Sequence, residues 1–198
     1  MKLGSGLATR ESLVKAALTL FAQQGVELTT VQAIADRAGT TKGAFYHYFK
    51  NKDEVLEDIH TRFVERELGT LQDIVGQNVS AVEQLKRVIE ELVANHDTYG
   101  EEIAVFNRER QYLLMDPRFD GVRAQRSQVE QTIDGVIARG VETGEFGPLP
   151  SVRLATFAIL GMTAWLSQWY EPGGKMSARD VGRMYADMIV DGLRGGAR

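Results

Sequence analysis

The chain has 198 residues, 43% of them hydrophobic and 25% charged, a balance typical of one or two folded domains rather than of a disordered chain. It contains no cysteine, which excludes a disulfide scaffold, a thiolate zinc site and a cysteine nucleophile. The first residues lack the apolar stretch of a secretory signal, and the longest uncharged run, 154–170, is too short and polar to span a membrane. We therefore expect a cytoplasmic protein with no membrane partner.

Charge is distributed unevenly along the chain. Residues 1–50 carry six lysines and arginines against three aspartates and glutamates, whereas residues 51–198 carry seventeen against twenty-four. A basic segment within an acidic protein predicts that this segment meets a polyanion.

Apolar residues recur at helical spacing along the chain, and no stretch shows the sustained alternation of a β-strand. The first helix is predicted over 9–24, with Gly25 ending it in the left-handed region. Thr30 is expected to cap a second helix over 31–38. A third short helix over 41–48 is expected to be capped by one of the two threonines at its start.

Six further helices are predicted in the remainder of the chain, most of them opened by a side chain that can cap a helix N-terminus. The pattern therefore predicts an all-α protein of about nine helices. These six begin at or span Asn51 (fourth), Ser80 (fifth), 101–114 (sixth), Asp116 with its following proline (seventh), 151–170 (eighth) and Ser177 (ninth).

The two short helices on either side of Gly39 carry the clearest functional pattern. The segment 29–52 reads TTVQAIADRAGTTKGAFYHYFKNK. Phe45 and Phe49 are four residues apart, so they are expected to anchor one side of the second short helix and leave its other side polar. This is the arrangement of a helix-turn-helix, in which the second helix enters the DNA major groove and the first supports it. Gly43 would let the backbone approach the duplex closely.

A glycine between two short helices also occurs in helical proteins of other functions, and clustered aromatic residues are more often core than functional. The basic charge of the segment favours DNA binding, and so does its resemblance to a known family. Residues 10–56 resemble the DNA-binding head of the tetracycline-repressor (TetR) family. The matching motifs are Phe21-Ala22-x-x-Gly25, Thr29-Thr30-x-x-x-Ile34-Ala35, Ala38-Gly39-x-x-Lys42-Gly43-x-Phe45-Tyr46-x-Tyr48-Phe49 and Asn51-Lys52-Asp53-Glu54-Val55-Leu56.

The resemblance implies a helix-turn-helix DNA-binding domain at 1–52 and a helical ligand-binding and dimerisation domain at 53–198. It implies a ligand-responsive transcriptional regulator, by family default a repressor, that binds an inverted-repeat operator in double-stranded DNA as a homodimer. The residues that inherit DNA-contacting roles are Thr30, Gln32, Thr41, Lys42, Gly43, Tyr46, His47 and Lys52.

The uncharged run within the eighth helix predicts that no side of this helix faces solvent in the assembled protein. Two DNA-binding heads are also needed to read two half-sites. We therefore expect a homodimer interface built by the eighth and ninth helices. The alternative is that the eighth helix lies at the centre of a single monomer. The residues expected at the interface are Trp165, Tyr185, Met188 and Ile189.

The body is also similar to regulators of fatty-acid and steroid catabolism that respond to acyl-CoA thioesters, through Leu160-Gly161-Met162-x-x-Trp165-x-x-x-Trp169-Tyr170-x-Pro172-Gly173-Gly174. Apolar and flexible side chains in the sixth and eighth helices are compatible with an acyl-chain tunnel, and the arginines within 108–126 with CoA phosphates. The alternatives are core packing for the aromatic residues, a solvated face for the arginines, and a multidrug or antibiotic sensor as the function. The candidate effector residues are Phe106, Arg110, Tyr112, Leu113, Phe157, Met162, Trp165 and Trp169.

A helical enzyme is the remaining alternative. Helical di-iron enzymes need paired Glu-x-x-His motifs, and only Glu57 with His60 has that spacing. The other histidines, His47 and His96, are not at metal-binding spacing either. We expect no catalytic residues, no metal and no cofactor.

Overall fold

The computed structural model describes residues 3–195, and the side chains of residues 9–195. This part of the chain forms nine α-helices and two short 3-10 helices, at Pro117–Phe119 and Trp165–Gln168, without a β-strand. The predicted all-α class and the order of nine helices are confirmed. Their bounds are Leu3–Leu28 (α1), Val31–Arg37 (α2), Lys42–Tyr48 (α3), Lys52–Val75 (α4), Ala81–Thr98 (α5), Gly100–Met115 (α6), Asp120–Glu142 (α7), Val152–Ala164 (α8) and Ala178–Arg194 (α9).

Short polar side chains cap the helices where the sequence predicts. Each capping oxygen accepts a hydrogen bond from the backbone N–H three residues later, which satisfies a donor that has no partner within the helix. Thr41, rather than Thr40, caps α3. The caps are Thr30, Thr41, Asn51, Ser80, Ser151 and Ser177.

Two helix boundaries differ from the prediction, whereas the predicted break at Gly25 is present. Gly25 leaves helical geometry with φ 82° and ψ 164°, and a short helical turn beyond this break completes α1 at Leu28. Asp116 caps the 3-10 helix Pro117–Phe119 instead of opening α7 directly. The eighth helix leaves α-helical geometry after Ala164, and the tighter 3-10 turn that follows buries Leu166 completely.

The chain divides into two compact units. The first contains the residues up to Phe63 together with Glu101–Arg123, and the second contains Val64–Gly100 together with Ala124–Arg198. Helix α4 therefore contributes its first half to one unit and its second half to the other. These are units of packing, and the functional division between residues 52 and 53 stays a prediction.

The first unit is built around apolar residues of α1 to α4 and α6. Phe45 of α3 and Phe49, which caps the C-terminus of α3, are buried in it, as their spacing predicts. Since α2 and α3 are only seven residues long, this core is what holds them in place. Other members of the core are Leu13, Phe21, Ile34, Leu56, Val105, Leu113 and Phe119.

In the second unit α5 packs along α9 and also against α8. Gly182 allows the close approach of α9, because a Cβ there would lie 3.2 Å from the Cα of Glu90. The N-terminus of α5 is closed by Glu145, whose two carboxylate oxygens accept from the N–H groups of Ala81 and Val82, each at 3.1 Å. These bonds hold the pKa of Glu145 below its usual value. In the described range no helix is both long and apolar enough to cross a membrane.

Candidate nucleic-acid interface

Helix α3 has one buried and one exposed side. Phe45 and Phe49 point into the core of the first unit, whereas Lys42, Tyr46 and His47 are exposed. Tyr46 is an aromatic residue with 52% of its surface open to solvent, although large apolar side chains are normally buried. The Nζ of Lys42 lies 5.9 Å from the centroid of the Tyr46 ring, one helical turn away. The exposed side thus combines a cation with a phenol that can donate and accept hydrogen bonds.

Two exposed threonines stand at the N-termini of α2 and α3. The Oγ1 of Thr30 accepts from the N–H of Ala33, and that of Thr41 accepts from the N–H of Ala44, each at 3.1 Å. Because capping uses the oxygen only as an acceptor, the hydroxyl hydrogen of each threonine can still donate to a phosphate oxygen.

Gly43 lies in the first turn of α3 with no packing reason to be a glycine. A Cβ at this position would meet only the Oγ1 of Thr41, at 3.7 Å, an ordinary contact. A glycine within a helix costs about 1 kcal/mol relative to alanine. The fold of the chain does not require Gly43, and its exposed backbone is open to close approach by another molecule.

Two of the eight residues predicted to contact DNA donate side-chain hydrogen bonds to acceptors within the chain. Gln32 donates through Nε2 to Oδ1 of Asp36 at 2.7 Å. Lys52 donates through Nζ to the carbonyl oxygens of Val26 and Thr29, each at 2.6 Å, and so holds the end of α1. The sequence pattern did not reveal this internal role of Lys52. Contact of either side chain with DNA stays a prediction.

Helices α8 and α9 each have an exposed apolar side in the second unit. Trp165 and Met188 are 65% and 59% exposed, whereas Tyr185 and Ile189 are half-buried. Only one side of α8 is buried within the chain, which disfavours the alternative that the eighth helix lies at the centre of a single monomer. Its place in a dimer interface stays a prediction. On α9, Val181 is buried whereas Met184 and Met188, which lie on the same face at helical spacing, are exposed, so burial changes along this face of the helix. The other exposed apolar residues here are Leu154, Phe157, Trp169 and Met184.

The candidate effector residues are distributed over both units. In the first, Leu113 is fully buried, Phe106 and Tyr112 pack against the same core, and Arg110 is exposed. In the second, Met162 is half-buried and the remaining three are exposed aromatic residues. A solvent-open surface pocket of about 600 Å³ lies within the first unit, and Tyr112 is the only predicted effector residue among its lining residues, which are Arg108, Gln111, Tyr112, Met115, Asp116 and Pro117.

Four of the clustered arginines are held by acids or carbonyls of the chain. Arg108 donates to the carbonyl oxygen of Phe21 at 3.4 Å. Arg118 bonds to Asp116 at 2.7 Å and to Asp53 at 2.5 Å. Its guanidinium lowers the pKa of the Asp116 carboxyl to about 2. Arg123 donates to the carbonyl oxygen of Asp116 at 2.9 Å, and Arg126 bonds to Glu67 at 3.1 Å. These arginines therefore make directed bonds within the chain, and contact of any of them with an effector stays a prediction.

The interior of the second unit contains ionisable groups that the sequence pattern did not single out. Burial raises the pKa of Glu67, and the opposing effect of Arg126 is smaller. His96 lies on α5 with its Nε2 3.0 Å from the carbonyl oxygen of Thr163 on α8. Burial lowers the pKa of His96. Among the described residues no three acids or histidines are placed to hold a metal ion together.

Two family profiles match the chain. The profile described as "Bacterial regulatory proteins, tetR family" matches residues 13–59, and that described as "Tetracyclin repressor-like, C-terminal domain" matches residues 78–193. The chain is 31% identical to the HTH-type transcriptional repressor KstR2 of Rhodococcus jostii over 185 residues, which cover 93% of this chain and 90% of that protein.

Two solved structures show the same fold. The ketosteroid transcriptional regulator KstR2 of Mycobacterium tuberculosis superposes with a TM-score of 0.86 at 29% identity, covering 93% of this chain and 94% of that chain. The regulator AibR, solved in complex with isovaleryl coenzyme A and operator DNA, superposes with a TM-score of 0.80 at 21% identity, covering 94% and 98% of the two chains. At that identity the second likeness shows the fold alone.

Proposed function

Because this chain belongs to the tetracycline-repressor family of ligand-responsive transcriptional regulators, we propose that it represses transcription by reading an inverted-repeat operator and is released by an acyl-CoA thioester. The observation that carries the DNA-binding part is the exposed side of α3. Lys42, Gly43 and Tyr46 are exposed there, while buried phenylalanines fix the opposite side. A helix held in this way can enter the major groove with its polar side first.

The exposed apolar sides of α8 and α9 support assembly with a second copy of the chain. Trp165 and Met188 would lose their solvent contact against the same residues of the partner, as in a two-fold interface. A homodimer would supply the two heads that half-sites about 34–36 Å apart require. The interface residues Trp165, Tyr185, Met188 and Ile189 are therefore part of this proposal.

The proposed effector is the CoA thioester of a steroid-derived or long-chain acyl group. The name of the M. tuberculosis relative, a ketosteroid regulator, supports a large apolar effector at 29% identity over nearly the whole chain. Aromatic and methionine side chains in both units supply apolar surface for an acyl group. Arg108, which lines the surface pocket, and the exposed Arg110 supply positive charge for phosphates.

Release of DNA requires two states of the dimer that differ in the position of the heads. Helix α4 runs from the first unit into the second, so we propose that a shift of α4 moves the two recognition helices out of register. An effector acts only through its different affinity for the two states. A tenfold loss of operator affinity corresponds to about 1.4 kcal/mol of coupling, and operator DNA must weaken effector binding by the same factor.

The test is a titration of a dimer–operator complex with a series of acyl-CoA thioesters, with the matching free acids and free CoA as controls. We expect release by thioesters of large apolar acyl groups and not by either half of the molecule alone. Reciprocity is checked by measuring thioester affinity with and without saturating operator. Release by cationic or aromatic drugs, and by no thioester, would establish a multidrug or antibiotic sensor instead.

A further inference from the structure

Helix α1 is broken at Gly25, and a carboxylate of α6 supplies the hydrogen bond that the break removes. Gly25 has φ 82° and ψ 164°, a conformation that residues with side chains rarely adopt. With this ψ, the N–H of Val26 turns away from the helix axis and from the carbonyl four residues earlier. It donates instead to Oε1 of Glu109, at 3.1 Å.

The other backbone groups at the break are also bound. The carbonyl oxygen of Val26 accepts from Nζ of Lys52 at 2.6 Å and from the N–H of Thr29 at 3.2 Å. The carbonyl oxygen of Gly25 accepts from Oγ1 of Thr29 at 2.7 Å. The peptide groups on either side of the buried Val26 are therefore held by side chains from two other helices, α6 and α4.

This segment determines where the helix-turn-helix begins. Thr29 is fully buried, and the next residue, Thr30, is the N-cap of α2. The break also lies directly against α6, since a Cβ on Gly25 would come within 3.4 Å of the Glu109 carboxylate and 3.5 Å of Cδ of Arg108. Any displacement of α6 that carries Glu109 away would leave the N–H of Val26 without an acceptor.

We infer that Glu109 is a positioning residue for DNA binding, which fixes the break in α1 and through it the orientation of α2 and α3. The inference rests on the proposed function in two respects, namely that α2 and α3 are the DNA-reading elements and that the chain assembles as a homodimer. It adds that α6 reaches these helices through the backbone of α1. Glu109 itself is not required to touch DNA or effector.

Helix α6 offers a matched control for a purely structural role. Glu101 also joins α6 to α1, because its Oε2 accepts from Oγ1 of Thr19 at 3.3 Å. That bond ends on a side chain and not on the backbone of the break. Glu101→Leu therefore removes one α1–α6 hydrogen bond and one charge, as Glu109→Leu does, but leaves the break bound.

The absence of cysteine allows a single spin label to be placed on α2 through Arg37→Cys, an exposed position. Double electron–electron resonance on the labelled homodimer then reports the separation of its two heads. We expect Glu109→Leu to broaden or shift this distance distribution and, in the unlabelled chain, to weaken operator binding about tenfold. Glu101→Leu should change neither the distance distribution nor the operator affinity beyond experimental error. Glu109→Gln keeps an acceptor oxygen, so its distance distribution and operator affinity should be close to those of the unaltered chain.

Equal head separations and equal operator affinities for the Glu109→Leu and Glu101→Leu variants would overturn the inference. If Glu109→Leu does not fold, amide hydrogen exchange in the Glu109→Gln variant decides. Exchange at Val26 should then be faster than in the unaltered chain while Leu13 is unchanged, because a neutral acceptor binds the N–H less strongly. Unchanged exchange at Val26 would overturn the inference.

Failure of the unaltered chain to bind any selected operator would reject the proposed function, whereas the head-separation measurement needs no operator.

Discussion

The two units of the molecule place their polar and apolar side chains in opposite ways. In the first unit α3 and its C-cap bury phenylalanines while α3 exposes lysine, tyrosine and histidine, whereas in the second unit the 3-10 helix after α8 leaves tryptophan in solvent and α9 leaves methionine in solvent. The interiors differ as well. Among the described residues, two buried side chains of the first unit are polar, Thr29 and His60, against six in the second.

This contrast identifies the kind of partner that each unit requires. The exposed side of α3 presents hydrogen-bond donors and a cation beside a glycine. Such groups can bind the phosphate oxygens of a polyanion and remain hydrated where they do not. Exposed tryptophan and methionine side chains contribute to stability only when another apolar surface covers them and removes them from water. The interior of the second unit includes two ionisable side chains, Glu67 and His96, whose pKa values burial shifts, so we expect the stability of this unit to depend on pH.

The largest expected effect comes from placing charge on the exposed side of α8 and α9. Trp165→Glu or Met188→Glu should give a folded monomer at micromolar concentration and weaken operator binding at least about a hundredfold, because an unpaired carboxylate would be buried twice in a two-fold interface. Sedimentation velocity measures the assembly, and fluorescence anisotropy the binding. Met188→Leu is the matched control and should remain dimeric, as should Met115→Glu on the first unit. A stable dimer of Met188→Glu would contradict the assignment of this surface.

The second effect concerns the exposed side of α3. Lys42→Ala and Tyr46→Ala should each weaken operator binding about tenfold without changing the dimer or the free energy of unfolding by more than about 0.5 kcal/mol. Loss of one phosphate-contacting lysine should also reduce the slope of log affinity against log salt by about one unit. Lys175→Ala, at an exposed position in the second unit, is the control. Unchanged affinity in both α3 variants would mean that another surface reads DNA.

Substitution of Gly43 should have smaller effects, which raise the stability of the fold but lower the affinity for operator DNA. Gly43→Ala should stabilise the chain by up to about 1 kcal/mol, since alanine is the better helix former and the added Cβ makes only an ordinary contact. The same methyl group should weaken operator binding severalfold if the backbone of α3 lies against the duplex. Gly135→Ala in α7 is the matched control, because that exposed glycine also has open space around it and lies in the other unit. Equal operator affinities in the two variants would exclude close approach at Gly43.

Local features of this fold were predictable from sequence, and long-range ones were not. The caps at Thr30 and Ser80 and the buried positions of Phe45 and Phe49 follow from residues within one or two turns of each other. The position of the chain after the break at Gly25 depends on Lys52 and on Glu109, which is 83 residues away from its hydrogen-bond partner.

Side-chain exposure on α8 and α9 was predictable only in part, for a related reason. An uncharged helix has two possible neighbours for each side, its own core or a second copy, and composition does not distinguish them. The same holds for the effector residues. Leu113 fits an apolar tunnel as well as the core in which it is buried, and only the packing of distant helices separates the two.

The smallest predicted effect tests whether the polar interior of the second unit makes it sensitive to acid. His96 is buried with its Nε2 at hydrogen-bonding distance from the Thr163 carbonyl oxygen, so the neutral ring must carry its proton on Nε2 and donate it.

Burial lowers the pKa of His96 below its ordinary value of 6.5, which means that the unfolded chain takes up a proton more readily than the folded one. The stability that this group contributes is therefore complete above the unfolded pKa and is lost as the pH falls from that value through the lower folded pKa. Between pH 7.5 and 5.5 we expect the free energy of unfolding, measured by urea denaturation, to fall more in the unaltered chain than in His96→Gln, whose amide can still donate to the carbonyl, with a limiting slope of about 1.4 kcal/mol per pH unit. Burial raises the pKa of Glu67, so this group makes the free energy of unfolding change with pH in the opposite direction, and Glu67 must be retained in both chains for the difference to report His96 alone.

His47→Gln, at an exposed position on α3, serves as the control, and its free energy of unfolding should change with pH as that of the unaltered chain does. Parallel pH dependences of the unaltered and His96→Gln chains would show that this buried histidine does not make the second unit acid-sensitive.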